Sequence, residues 1–233
     1  MSEIATFATS LNDQAQSELI GATKAITAGD EEAGRLASDV SRLVSTVNTA
    51  ASRAVGDAAR LHDDDVMNPE GRARLLAELP ANLVSATAEQ LDQAEVNLDL
   101  VEGIHLTAIL RHDRRDDSTL IAELGNYTAT LDKKHAVATM VQLAADPRYS
   151  TLLAGPMGKS VAARFGFDPA ILRKTALQAL AVDGTPDQVA RSAALAAVPQ
   201  ARRVIALARG GRDNVAAHVQ RAPKPQPSAS MMR

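Results

Sequence analysis

The sequence contains no cysteine and no tryptophan, and tyrosine and phenylalanine together make up only 2% of its 233 residues. The lack of cysteine excludes disulfides, thiol catalysis and thiolate metal sites. The scarcity of aromatic residues argues against a β-sandwich, whose core depends on aromatic and β-branched side chains. Also missing are the run of about 20 apolar residues that a membrane span needs and the basic start of a secretory signal. We therefore expect a cytoplasmic protein without membrane contacts.

Alanine, leucine, valine and isoleucine supply most of the 45% hydrophobic content. This content is ample for a hydrophobic core, and the length allows one large or two small domains. Alanine and leucine are strong helix formers, so the composition favours closely packed helices. The sequence thus predicts an all-α protein.

Charge is divided unevenly along the chain. Residues 1–147 contain 12 basic and 24 acidic residues, a balance of −12, whereas residues 148–233 contain 13 and 4, a balance of +9. The two values sum to the net charge of −3. Such asymmetry is typical of a chain that contacts a polyanion or that docks its basic end on an acidic protein surface, its own included.

Apolar residues recur at helical spacing most regularly between residues 31 and 61, which we expect to form one continuous helix. Leu36, Val40, Leu43 and Val47 form the centre of this stripe, and we expect them to be buried in helix–helix contacts, partly with another subunit. The change Leu43→Asp should therefore unfold or dissociate the protein. A shorter stripe from Ile4 to Ile26 precedes this helix, so residues 3–61 are interpreted as an antiparallel hairpin or as two coiled-coil strands that need partners.

The fold class that follows is all-α: a long antiparallel helical hairpin or bundle, coiled-coil-like, with a C-terminal cluster of short helices and an extended tail. Prolines and glycines predict the helix boundaries. Four regions are expected: 1–62, an N-terminal helical hairpin; 63–147, a second pair of long helices that forms an acidic body; 148–222, a basic region of short helices; and 223–233, a proline-rich tail. Helices are predicted near 69–79, 81–112, 119–145, 169–182, 186–198, 200–209 and 212–221.

Two carboxylate–histidine pairs are candidate metal ligands. Glu102 and His105 lie one helical turn apart, and Asp132 and His135 repeat this spacing on the next helix. The pairs resemble the Glu-x-x-His pairs of ferritin-like di-metal bundles. The second pair has aspartate in place of glutamate, and no bridging glutamate lies within an apolar stripe. Packing or surface histidines are therefore favoured, and neither a metal nor another cofactor is predicted.

Two further motifs are incomplete. Gly158-Lys159-Ser160 ends like a phosphate-binding loop, but Leu153 occupies the position of the first glycine and no strand precedes the segment. Residues 185–203 resemble a helix-turn-helix, yet Pro199 falls where the recognition helix should run. No catalytic residue is predicted.

The sequence therefore favours a non-enzymatic structural or assembly protein that self-associates and docks its basic region on an acidic protein surface. Arg202, Arg203, Arg209 and Arg212 are the expected basic surface. The first alternative is non-specific nucleic-acid binding through this region; the second is a di-metal helical-bundle enzyme. In general layout, without a shared motif, the chain resembles helical assembly and virion proteins of DNA phages, which would place it in a virion. No family is assigned.

Overall fold

The computed structural model of the chain describes residues 21–64, 66–111 and 117–221. These residues form helices and short connections and include no β-strand, so the predicted all-α class is confirmed. The apolar stripe before residue 21 and the proline-rich tail lie outside the described residues. The helices are α1 (residues 21–27), α2 (Glu31–Asp63), α3 (Pro69–Arg111), α4 (Asp117–Thr130), α5 (Lys133–Ala145), α6 (Pro147–Ala154), α7 (Pro156–Phe165), α8 (Pro169–Asp183) and α9 (Pro186–Arg221).

The chain reverses between α1 and α2 in a tight turn. Ala28 and Gly29 have positive φ angles of 41° and 77°, a conformation that glycine adopts at little cost. The Asp30 side chain then accepts a hydrogen bond of 3.1 Å from the backbone N–H of Ala33 and so caps α2. The helix runs without interruption to Asp63, as the apolar spacing predicts.

Two long helices continue through residues that were expected to break them. Pro80 lies inside α3 and Pro199 inside α9, and α9 also passes through Gly210–Gly211, so these predicted boundaries are wrong. A proline inside a helix costs about 3 kcal/mol, because it removes a backbone N–H and crowds the preceding turn. Burial of apolar side chains on both sides of each proline offsets this cost. These side chains are Leu76 and Leu83 in α3, and Val198 and Val204 in α9.

The single helix expected over residues 119–145 is two helices, α4 and α5. Asp132 lies between them with extended backbone, and its side chain accepts a hydrogen bond from the backbone N–H of Lys134. Asp146 and Asp168 cap α6 and α8 in the same way, each followed by a proline at the start of the helix. These caps explain why this part of the chain forms short helices.

The described residues form two compact units. Unit 1 contains residues 21–24, Gly34–Leu100 and residues 199–221, and unit 2 contains Ala25–Ala33 and Val101–Val198. Each unit combines segments that are distant in sequence, and the four sequential regions stay a prediction. One core cluster of unit 1 joins α2, α3 and α9 through Ala54, Ala58, Leu76, Leu83, Val215, Ala216 and Val219. The main cluster of unit 2 joins α4 to α8 through residues that include Leu124, Met140, Tyr149, Leu153 and Leu172.

Candidate functional site

Two arginines of the predicted basic surface pair with carboxylates of α3 in the same chain. The Nη2 atom of Arg202 lies 2.5 Å from Oδ1 of Asp99, and Nη2 of Arg209 lies 3.1 Å from Oδ1 of Asp92 and 3.2 Å from Oε1 of Glu95. The arginines are seven residues apart on α9, and the aspartates are seven apart on α3. Because the spacing of seven residues is the same on both helices, each of these arginines of α9 lies beside a carboxylate of α3. Since these groups are partly exposed, each pair contributes at most about 1 kcal/mol.

The other two arginines of this set differ from each other. Arg203 is exposed. Arg212 was expected on the surface, but its side chain is buried and its guanidinium binds the neighbouring Asp213 at 2.7 Å. On α9 it lies on the same side as Val215 and Val219, which face the core of unit 1. Counting charge along the sequence does not reveal which side of a helix an arginine occupies.

The apolar stripe of α2 is covered by the chain itself. Leu36, Val40 and Val47 are buried, whereas Leu43 is only half-buried and its neighbour Val44 has no exposed surface. Within the chain the core side of α2 thus passes through position 44 rather than 43, and burial of Leu43 against another subunit stays a prediction. The three buried residues also have almost no surface left for another subunit, so the structure offers no support for an intermolecular seam along them.

The side of α2 opposite this core has a row of arginines. Arg35, Arg42, Arg53 and Arg60, with Thr46 and Thr49 between them, fall within an arc of about 60° at 100° per residue. We call these six residues the arginine face. All four arginines are exposed. Arg35 and Arg42 pair with Asp39 at 3.8 and 3.2 Å, and Arg60 pairs with Asp57 at 3.0 Å, yet these three arginine side chains stay at least two-thirds exposed. The charge count missed this face because it lies within the acidic half of the chain.

A groove of about 560 Å³ runs beside the arginine face, between α2 and α3 of unit 1. Its polar lining consists of Arg42, Arg53 and Asp57, hydroxyl side chains of α2, and Asn82 of α3. Its apolar lining consists of small or aliphatic residues: Ala50, Ala54, Leu79, Leu83 and Ala86. A shallow groove of this composition suits the side chains of a helix better than it suits an enclosed small molecule.

An acidic face lies on α3. Glu89, Asp92 and Asp99 are exposed there, and Val96 and Leu100 on the same side of the helix are each about half exposed. We call these five residues the acidic face. Asp92 and Asp99 remain mostly accessible although they pair with arginines of α9. The half-exposed apolar side chains with carboxylates beside them give this face an apolar centre and a polar margin, as in a protein–protein contact with an apolar core and a polar rim.

Unit 2 contains a buried polar cluster around His105. The Nε2 atom of His105 lies 2.7 Å from the carbonyl oxygen of Ile26, and a guanidinium N–H of Arg191 lies 3.4 Å from Nδ1. Because a carbonyl only accepts and a guanidinium only donates, the ring is neutral with its proton on Nε2. Arg191 also pairs with Asp30 at 3.2 Å and with Asp187 at 2.9 Å. The cluster holds the α1–α2 turn in place within unit 2.

The pKa values in this cluster shift in the directions that the geometry implies. Burial lowers the pKa of His105 below the ordinary value of 6.5, and the positive charge of Arg191 acts in the same direction. The hydrogen bond from the backbone N–H of Ala33, followed by Arg191, holds the pKa of Asp30 below 3.8. The neutral imidazole and the ionised carboxylate are therefore the stable forms near neutral pH.

Unit 2 is expected to lose stability as the pH falls below about 6.5, the value at which the unfolded histidine is protonated. The native ring takes up its proton only at lower pH, so the unfolded state binds more protons in this interval and is favoured. Urea unfolding measured from pH 7.5 to pH 5 should show the decrease. The change His105→Gln, which keeps one donor and one acceptor, should flatten it.

The exposed His135 provides the control for this experiment. Its side chain is about three-quarters exposed and lies outside the buried cluster, so His135→Gln makes the same substitution without removing the contacts of His105. An equally steep decrease in the His105→Gln variant would exclude His105 as its cause. The loss of stability that comes from protonation of Asp30 occurs separately, at pH values below 3.8, the ordinary pKa of this carboxyl group.

The four candidate metal ligands do not form one ligand set. Glu102 pairs with Arg173 at 2.7 Å and His105 is bound as described above. Asp132 caps α5, and His135 is exposed beside it. Within residues 21–64, 66–111 and 117–221, no group of three or more histidine, aspartate or glutamate side chains is placed to hold a metal ion.

The two incomplete motifs are parts of ordinary helices. Lys159 and Ser160 lie inside α7, where their backbone N–H groups do not form a phosphate loop. Gly158 is there for packing: a Cβ atom at this position would lie 2.0 Å from the carbonyl oxygen of Leu153. Thr185 and Gln188 exchange hydrogen bonds in a capping box that starts α9, which continues through the expected helix-turn-helix boundary.

Comparison of the chain with protein families, with curated proteins and with solved structures finds no match. Within the described residues, no helix is both long enough and apolar enough to span a bilayer.

Proposed function

We propose that this protein is a non-enzymatic helical assembly protein that self-associates through charged helix faces. The observation that carries the proposal is the presence, on unit 1, of two exposed faces of opposite charge: the arginine face of α2 and the acidic face of α3. Attraction between opposite patches steers association and fixes its register. Because the two faces are different surfaces, a contact between them is head-to-tail and can extend to further copies.

The internal pairs between α9 and α3 support this proposal over nucleic-acid binding by the C-terminal basic region. Arg202 and Arg209 already contact carboxylates, and Arg212 is buried. Fewer free cations therefore remain for phosphates than the charge of +9 suggested. Carboxylates of α3 pair with Arg202 and Arg209 inside the chain, and docking of the basic region on another acidic protein surface stays a prediction. A place in a virion or a capsid-assembly complex stays a prediction.

Self-association should depend on protein concentration and on salt. Sedimentation equilibrium at about 0.05 M salt should give an average mass at least twice the chain mass of 24.5 kDa, and the mass should fall toward 24.5 kDa at about 0.5 M salt, where the Debye length is only a few ångströms. A mass of 24.5 kDa at every concentration under low-salt conditions would rule out the proposed function.

A further inference from the structure

We propose that the groove between α2 and α3, together with the arginine face, receives the acidic face of α3 from a second copy of this chain. The inference rests on the proposed function and names the surface through which self-association takes place. Both surfaces belong to unit 1 and both are exposed.

The charges of the two faces are opposite in sign and similar in spacing. Arg42 and Arg53 at the edge of the groove are eleven residues apart, about 16 Å along a helix at 1.5 Å per residue. Glu89 and Asp99 on the acidic face are ten residues apart, about 15 Å. A carboxylate can therefore approach each arginine when the two helices lie along each other. Inside the chain, equal spacing of arginines and carboxylates, there seven residues, likewise brings α9 and α3 into ion pairs.

The apolar surfaces also match. Val96 and Leu100 lie between or beside the carboxylates of the acidic face, one turn apart, and each is about half exposed. The groove offers alanine and leucine side chains between its two arginines. Small alanine side chains allow a second helix to approach closely, so two aliphatic side chains can be buried there. Charge alone would fit many anions, but this combination favours an acidic helix with an apolar edge, which the chain itself provides.

Cysteine trapping tests the contact directly, because the natural chain has no cysteine. One chain with Thr46→Cys and a differently tagged chain with Val96→Cys should form a mixed disulfide under mild oxidation. The control replaces the second chain with Val182→Cys, at a more exposed valine of unit 2. Efficient trapping of the first mixture alone supports the proposal, whereas equal trapping in both mixtures overturns it.

Charge reversal gives the quantitative test. The double change Arg42→Glu and Arg53→Glu should weaken self-association about tenfold or more, and Glu89→Arg with Asp99→Arg should do the same. Mixing these two variants should restore association, since a reversed groove now meets a reversed acidic face. The matched control, Arg164→Glu with Lys174→Glu, makes the same charge change at exposed basic residues of unit 2 and should leave association intact. Circular dichroism confirms that each variant is folded.

The outcomes separate this proposal from the proposed function. If the natural protein self-associates but reversal of the groove arginines leaves its mass unchanged, only the docking surface is wrong. If the natural protein has the mass of one chain throughout, both proposals fail. Retention of a short DNA duplex at low salt by a single-chain protein, lost after Arg42→Glu and Arg53→Glu, would also overturn the docking proposal and assign the arginine face to nucleic acid.

Discussion

Replacing Val44 by aspartate is expected to unfold unit 1. Val44 has no exposed surface, so the new carboxylate would be buried among apolar side chains without a partner. Burial of an unpaired charge costs several kcal/mol, which is comparable with the whole stability of a small domain. Urea unfolding followed by circular dichroism should show the loss of a large part of the helical signal before urea is added.

The same substitution at the adjacent position provides the control. Leu43 is half-buried, so its aspartate can reach water, and we expect a loss of about 1–2 kcal/mol from lost apolar contact. Both variants carry the same added charge, and the loss of helix propensity is the larger at position 43, because leucine is a better helix former than valine. If the Leu43→Asp variant were less stable than the Val44→Asp variant, Val44 could not be the residue of this pair that faces the core of unit 1.

Replacing Gly158 by alanine is expected to destabilise unit 2 by about 3 kcal/mol. The added Cβ would lie 2.0 Å from the carbonyl oxygen and 2.9 Å from the carbonyl carbon of Leu153. These are backbone atoms, so no side-chain rotation relieves the overlap, and α7 has to move away from α6. The midpoint of thermal or urea unfolding should fall accordingly.

Gly125 is the matched control in the same unit. It lies inside α4, and a Cβ atom there would meet nothing within 4 Å. The change Gly125→Ala should therefore raise stability by up to about 1 kcal/mol, because alanine is the better helix former. If Gly158→Ala were neutral or stabilising as well, the close approach of α6 and α7 would be refuted.

Local features of the sequence were sufficient to predict the fold class and several helix ends. The all-α class follows from an apolar content of alanine and aliphatic residues at helical spacing, and the long helix over residues 31–61 follows from the same periodicity. Asp168-Pro169 and Thr185-Pro186 start helices as expected. These signals are predictable because a cap or a helical repeat depends on neighbours within a few residues.

Proline and glycine were less reliable guides to helix ends. Pro80, Pro199 and Gly210–Gly211 weaken a helix locally, yet α3 and α9 continue through them. The Asp132 cap, in contrast, divides a segment that apolar spacing alone predicted to be one helix. Whether a helix breaks at a proline or glycine depends on how much apolar surface is buried on each side of that residue. Helix propensity is a property of the local sequence and does not report this burial.

The sequence by itself determined which segments are helical and how much charge each half has. Only the tertiary structure decided which side of each helix is buried, because steps of three and four residues admit both Leu43 and Val44 between Val40 and Val47. It also decided which polar groups meet: Arg202 and Arg209 pair with carboxylates more than 100 residues earlier, and His105 contacts the carbonyl of Ile26 and the guanidinium of Arg191. Such contacts form when distant helices pack to bury their apolar sides, and no local pattern encodes them.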